Sequence, residues 1–204
     1  MASVYHHGNL RQALLDEADR IIETDGIDAL SVRKLADNVG VSRTALYHHF
    51  RDKNALLSAI TEAQFSHWGK QLTHVLDDQA PIKTQIKAFA KQYLSGATER
   101  PAHYNLMFGK PIWKSGEPSE SLTEISRATF QNYVILIKRW QDLGAIEASI
   151  PSLQLAQVSW GMLHGLARLL IDGVYVDHKQ IEEMSDAVAR LLLNGQSATP
   201  SSEF

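Results

Sequence analysis

Leu10, Leu14, Ala18 and Ile21 recur every three or four residues with polar positions between them. This predicts an amphipathic helix over residues 9 to 25, capped by Asn9 and stopped at Gly26. Ser31 then stands as the N-cap of a short helix over 32 to 39, which Gly40 ends, and Ser42 caps another over 43 to about 50. From Asp52 a longer helix carries Ala55, Leu56, Ala59, Ile60 and Ala63 to about Val75, and the polar stretch DDQAP at 77 to 81 marks a junction. Further helices are expected at 82 to 98, 101 to 109, 118 to 143, 152 to 175 and 178 to 194. They are separated by Pro101, the loop GKPIWKSGEP and Pro151. No strand pattern competes, so the fold class is all-α. It should comprise an N-terminal helix-turn-helix domain of three helices (1 to 62), a C-terminal helical domain (63 to 195) and a disordered tail (196 to 204).

The helix at 152 to 175 is apolar nearly all round, and such a helix must be covered on more than one side. Leu155, Met162, Leu166 and Leu170 on it, with Met184, Val188, Leu191 and Leu192 on the next, are the expected dimerisation residues. With a symmetry-related copy they would form a four-helix interface.

A helix-turn-helix places the start of its second helix in the major groove of DNA. At about 100° per residue, Arg43, Thr44, Tyr47 and His48 share one arc, while Ala45, Leu46, His49 and Phe50 take the opposite, packing side. Arg43 has the donors to read guanine, Thr44 suits a base edge or a thymine methyl, and Tyr47 and His48 suit flanking phosphates. Ser31, Arg33 and Lys53 sit at or near helix N-termini, where backbone N–H groups already favour a phosphate, and are expected to clamp. Ser42, capping the second helix, completes the expected DNA-contacting set.

Charge placement decides more than total charge. The chain has 204 residues and a net charge of −3, yet residues 31 to 54 hold five Lys/Arg against two acids, a local +3. Composition is globular, at 44% hydrophobic and 21% charged. The absence of cysteine excludes disulfides, thiolate metal sites and cysteine nucleophiles. The stretch MASVYHHGNLRQ is unlike a secretory signal, and Arg168 and Asp172 interrupt the most apolar later run. A cytoplasmic protein without membrane partners is expected.

The run SVRKLADNVGVSRTALYHHFRDKNALLSAI, preceded by LRQALLDEADRIIETDGIDAL, resembles the DNA-binding domain of the TetR family over about residues 9 to 62. Its most telling piece is Leu46, Tyr47, His48, His49 and Phe50 followed by Lys53. The resemblance implies an all-helical homodimer that binds double-stranded operator DNA, dimerises through its last two helices and answers to a small-molecule inducer, as yet unidentified. It puts Arg43 and Thr44 at bases, and Ser31, Tyr47, His48 and Lys53 at phosphates. Repression relieved by the inducer is the default direction. The stretch WGMLHGLARLLIDGVY is similar to one branch of the family's C-terminal domains.

Tyr93, Tyr104, Met107, Phe108, Trp113, Phe130, Tyr133, Trp160 and His164 are the candidates for the ligand pocket. The same aromatics would equally serve as core, since pockets between helices are themselves mostly apolar with a few polar groups. His48 and His49 point about 100° apart on a helix and do not readily share an ion, so neither metal nor cofactor is expected. No GxSxG elbow, HExxH, P-loop or GxGxxG is present, and the protein is read as not an enzyme. The alternative is a helix-turn-helix DNA-binding protein with no small-molecule ligand.

Overall fold

The computed structural model describes residues 10–74, 76–114, 117–175 and 180–194, and is helical with no strand among them. The expected Asn9 cap and the tail from Gln196 lie outside the described residues. The chain divides into two compact units: Met1–Ser66 with Arg100–Ser126, and His67–Glu99 with Arg127–Phe204.

The first unit begins with α1 (Leu10–Asp25), which buries Leu14, Ala18, Ile21 and Ile22, the stripe its spacing predicts. Gly26 ends it at φ 81°, a left-handed region that costs glycine nothing, and a short 3₁₀ turn, Ile27–Ala29, leads on. α2 (Val32–Val39) and α3 (Arg43–Tyr47) follow, then the first part of α4 (Lys53–His74), started by the Asp52 carboxylate accepting the Ala55 N–H at 2.7 Å. α2 packs on α1, and α3 on α2.

Residues 100–126 join this unit through α6 (Pro101–Phe108), which packs on α1. Arg100 at its start donates to Asp19 at 2.7 Å and to Glu23 at 3.0 Å. The His103 side chain, 2% exposed, holds its Nε2 2.7 Å from Asp19 and its Nδ1 2.9 Å from Glu23, and Gln64 of α4 donates to Asp19 at 2.7 Å. The buried imidazole is held through Nε2 by its hydrogen bond to Asp19, while Nδ1 lies close to Glu23 without a hydrogen bond, and the Asp19 contacts of His103 and Arg100 tie α6 to α1. The compact units are therefore not linear segments, and neither coincides with the expected 1–62 and 63–195 division.

Asp19 carries a testable consequence. Burial pushes its carboxyl up, but hydrogen bonds from His103 and Arg100 outweigh it and hold the pKa below the usual carboxylate value. A carboxylate depressed in the folded state contributes stability above its unfolded pKa, near 4, and loses it as pH falls through the folded value. Asp19→Asn is expected to lower stability at neutral pH and to flatten the acid limb of stability against pH below about 4. A parallel acid limb in urea titrations of the two proteins would show that Asp19 is not so coupled.

Several boundaries differ from the sequence expectation, two of them with a clear local cause. The stretch GKPIWKSGEP contains a one-turn helix, α7 (Lys110–Trp113), because proline is at home in a first helical turn. Ile112 is buried there and the Trp113 indole donates to the Met107 carbonyl at 2.6 Å. Gly109 before it has no room for a Cβ, which would collide with the Asn105 carbonyl oxygen. α9 (Ser152–Ile171) stops short of 175, because Gly173 turns at φ 73° and its N–H donates to the Leu170 carbonyl.

In the second unit α5 (Ile82–Glu99) packs on both α9 and α10 (Gln180–Asn194). Its core includes Phe89, Tyr93, Leu94, Leu163, Ala167 and Val188, with Trp140 of α8 (Glu120–Asp142) fully enclosed and its indole donating to Gln85 Oε1 at 3.2 Å. Gly96 lets α5 approach the Trp68 ring, whose Cζ3 lies 3.0 Å from where a Cβ would stand.

Candidate nucleic-acid interface and ligand cavity

Each helix of the turn is set by its own cap. Ser31 accepts the Lys34 N–H and Ser42 accepts the Ala45 N–H, both at 3.1 Å, so these serines use their side-chain oxygens on the backbone. Between them Gly40 adopts the left-handed conformation, φ 78° and ψ 31°, and its N–H closes α2 on the Ala36 and Asp37 carbonyls. Leu46, fully buried, and Phe50, 3% exposed, anchor α3 and the chain after it.

That anchoring leaves Ser42, Arg43, Thr44, Tyr47 and His48 exposed, together with Ser31, Arg33 and Lys53. Every residue expected to contact DNA is thus solvent-facing. His49 departs from its expected packing role and is exposed: α3 ends at Tyr47, so the helical wheel no longer applies two residues later.

The cations are not equivalent. Arg33 lies 3.7 Å from Asp37, Lys34 2.7 Å from Asp25 and Arg51 3.1 Å from Asp52. Among the described residues Arg43 and Lys53 have no ion-pair partner. Lys53 occupies the first position of α4, where the helix dipole disfavours a cation and favours an anion.

The second unit holds a cavity of about 350 Å³, walled by Leu72, Leu136, Phe89, Tyr133 and Trp160, with Thr129, Asn132 and Arg139 among its polar lining. Of the residues expected in a ligand pocket, it uses Tyr133 and Trp160. Tyr93 is fully buried between the rings of Trp68 and Trp160, at 5.2 and 5.1 Å. Phe130 sits edge-on to Trp160, and half-buried His164, its pKa lowered by burial and then by Arg168, does not line the cavity. Tyr104, Met107, Phe108 and Trp113 belong to the first unit, where Tyr104 and Met107 are core and Phe108 and Trp113 pack on Phe65. Phe89 and Arg139 were not anticipated. Phe89 lies one helical turn from Tyr93, and the spacing does not tell a cavity wall from a core residue.

The expected dimerisation set divides in the same way. Leu155, Leu170 and Val188 are buried in the protomer's own core, leaving no surface for a partner. Met162, Leu166, Met184 and Leu192 are half-exposed, and Leu191 is 65% exposed. On α9 the apolar residue most open to solvent is Val158, at 72%, with exposed Gly161 one turn on.

Two short capped helices joined by a tight left-handed turn, the second starting with an exposed, unpaired arginine, are the arrangement of a helix-turn-helix DNA-binding protein. Comparison with known sequences agrees. Residues 14–60 match the profile described as bacterial regulatory proteins, tetR family, and residues 86–194 match that described as tetracyclin repressor-like, C-terminal domain. The chain is 54% identical over 41 residues to the class A tetracycline repressor protein from transposon 1721 of Escherichia coli, a match covering 20% of this chain and 19% of that one. It is 28% identical over 105 residues to the nucleoid occlusion factor SlmA of Photobacterium profundum, covering 51% and 54% respectively. These matches span about a fifth and about half of those curated relatives. Among solved structures, a protein of unknown function from Rhodococcus sp. RHA1 superposes with a TM-score of 0.80 at 30% identity, over 94% of this chain and all of that one. The chain belongs to the TetR family, a family of transcriptional regulators.

Proposed function

We propose that the protein is a ligand-responsive transcriptional repressor that binds a palindromic operator as a homodimer and is released by a small-molecule inducer. The observation that carries its DNA-binding half is the pair Arg43 and Lys53, the two cations of the basic patch without an ion-pair partner among the described residues. Residues 1–62 act as the reading domain and 63–195 as the sensing and dimerising domain. Arg43 and Thr44 address base edges; Ser31, Arg33, Ser42, Tyr47, His48 and Lys53 hold the backbone. No helix among the described residues is long and apolar enough to cross a membrane, which is compatible with work in the cytoplasm.

Dimerisation is supported by the exposed apolar residues Val158 of α9 and Leu191 of α10, flanked by half-exposed Met162, Leu166, Met184 and Leu192. A two-fold dimer engages both half-sites when its reading helices stand about 34 Å apart or a multiple of that. An inducer that binds better to another spacing shifts the population, with a coupling of about 1–3 kcal/mol. The cavity in the second unit is a place for it.

Fluorescence anisotropy on an operator duplex tests the assignment. Arg43→Ala is expected to cost about 1–3 kcal/mol on the operator and to relax sequence preference, whereas Lys53→Ala weakens all duplexes alike and lowers the salt slope by about one. Equal losses at every salt concentration and on every sequence would refute this division of labour.

A further inference from the structure

The lining of the cavity narrows what it accepts, if the ligand-responsive reading on which this inference rests is right. Its volume of about 350 Å³ lies at the small end for ligand sites, on the order of a dozen water-sized volumes, which suits one or two rings. Phe89 and Tyr133 stack face to face at 4.8 Å, 16° from parallel, and with Trp160, 5.3 Å from Tyr133 and tilted 59° to it, they form an angled apolar wall. Three aromatics invite a cation, but a caged cation needs open ring faces, and here Phe89 and Tyr133 spend a face on each other. Among the described residues no carboxylate lines the cavity, and the Tyr133 hydroxyl supplies no negative charge: it donates to Ser159 at 2.9 Å, and burial pushes its pKa up to about 12, leaving it a neutral phenol.

The charged group in the lining is the Arg139 guanidinium. It bonds Asp78 at 2.7 Å, with both side chains substantially exposed at 43% and 63%, so the pair is water-screened and exchanges readily. Asp78 itself is not part of the lining. A guanidinium matches a carboxylate with two parallel hydrogen bonds, and one at the edge of an apolar wall favours a ligand built the same way.

We propose that this cavity takes a flat aromatic acid, its ring laid on the Phe89, Tyr133 and Trp160 wall and its carboxylate on Arg139. A cationic or neutral ring of the same size finds the wall but no counter-charge, and the cation meets Arg139 as a like charge.

Isothermal titration of the full chain with 2-naphthoate, 2-naphthamide and 2-naphthylmethyl-trimethylammonium separates these cases. The acid is expected to bind roughly tenfold or more tighter than the amide, and the ammonium to bind worst. Arg139→Gln should bring the acid to the level of the amide. Asp78→Asn, which frees the guanidinium without removing it, should leave acid binding intact or tighter. If the neutral or cationic ring binds and the acid does not, or if Arg139→Gln leaves acid binding unchanged, the acid assignment is overturned while a ligand-responsive regulator stands. If none of the three binds and none raises the melting temperature, the aromatic-acid assignment is overturned.

Discussion

Leu191→Glu is expected to yield a monomer that loses operator binding. Leu191 is 65% exposed in the protomer, so replacing it leaves the protomer's own core untouched and isolates what happens between copies. In a four-helix interface the same position is buried, and two symmetry-related carboxylates would have to be desolvated against each other. Binding of the second half-site by a joined partner is effectively intramolecular, and its loss removes roughly 10²–10⁴-fold of affinity. Sedimentation should show the single-protomer mass with an unchanged helical circular dichroism spectrum. An intact dimer in sedimentation moves the interface elsewhere. Leu155, Leu170 and Val188 are unsuited to this test, since charge at any of them unfolds the protomer first.

The largest stability effect is expected at Trp140. Its side chain is fully enclosed, and its indole N–H is held by Gln85 Oε1 at 3.2 Å, itself a buried polar group. Trp140→Ala opens a cavity and strands the Gln85 acceptor, together costing about 3–5 kcal/mol. For a chain of this size that lowers the melting temperature by roughly 6–20 °C. Trp140→Phe keeps most of the volume and removes the donor, so it should cost about 1–3 kcal/mol and separate the hydrogen bond from the packing. Similar melting points for the alanine variant and the parent would mean that this core is not closed around Trp140.

The two short helices could be read from the chain because their signals are local. Ser31 and Ser42 are caps whose oxygens each accept the backbone N–H three residues on, and Gly40 is needed where the backbone turns left-handed; neither depends on distant contacts. The stripe of α1 was legible for a similar reason, since periodicity reports one buried face. Legibility fails where the answer depends on what crosses a helix from elsewhere in the sequence. Phe89 and Tyr93 are one turn apart on α5, yet Trp68 and Trp160 close over Tyr93 while Phe89 lines a cavity. Leu155 and Val158 on α9 look equally apolar, and one is core while the other is 72% exposed. His49 failed for a shorter-range reason, a helix that ends about three residues earlier than its pattern suggests. Tyr104, Met107, Phe108 and Trp113 were grouped with the sensing domain by their place in the chain. Arg100 and His103 instead bind that segment to α1, across about 80 residues of sequence, which no window-based pattern detects.

Selection of bound duplexes from a random DNA pool by the full-length protein tests the DNA-reading dimer most directly. Enrichment of an inverted repeat with half-site centres about one helical turn apart, or a multiple of it, is the predicted result, with Arg43→Ala returning a degenerate version of the same repeat. A pool without enrichment, or a single unrepeated half-site bound equally well by the Arg43→Ala variant, would contradict it.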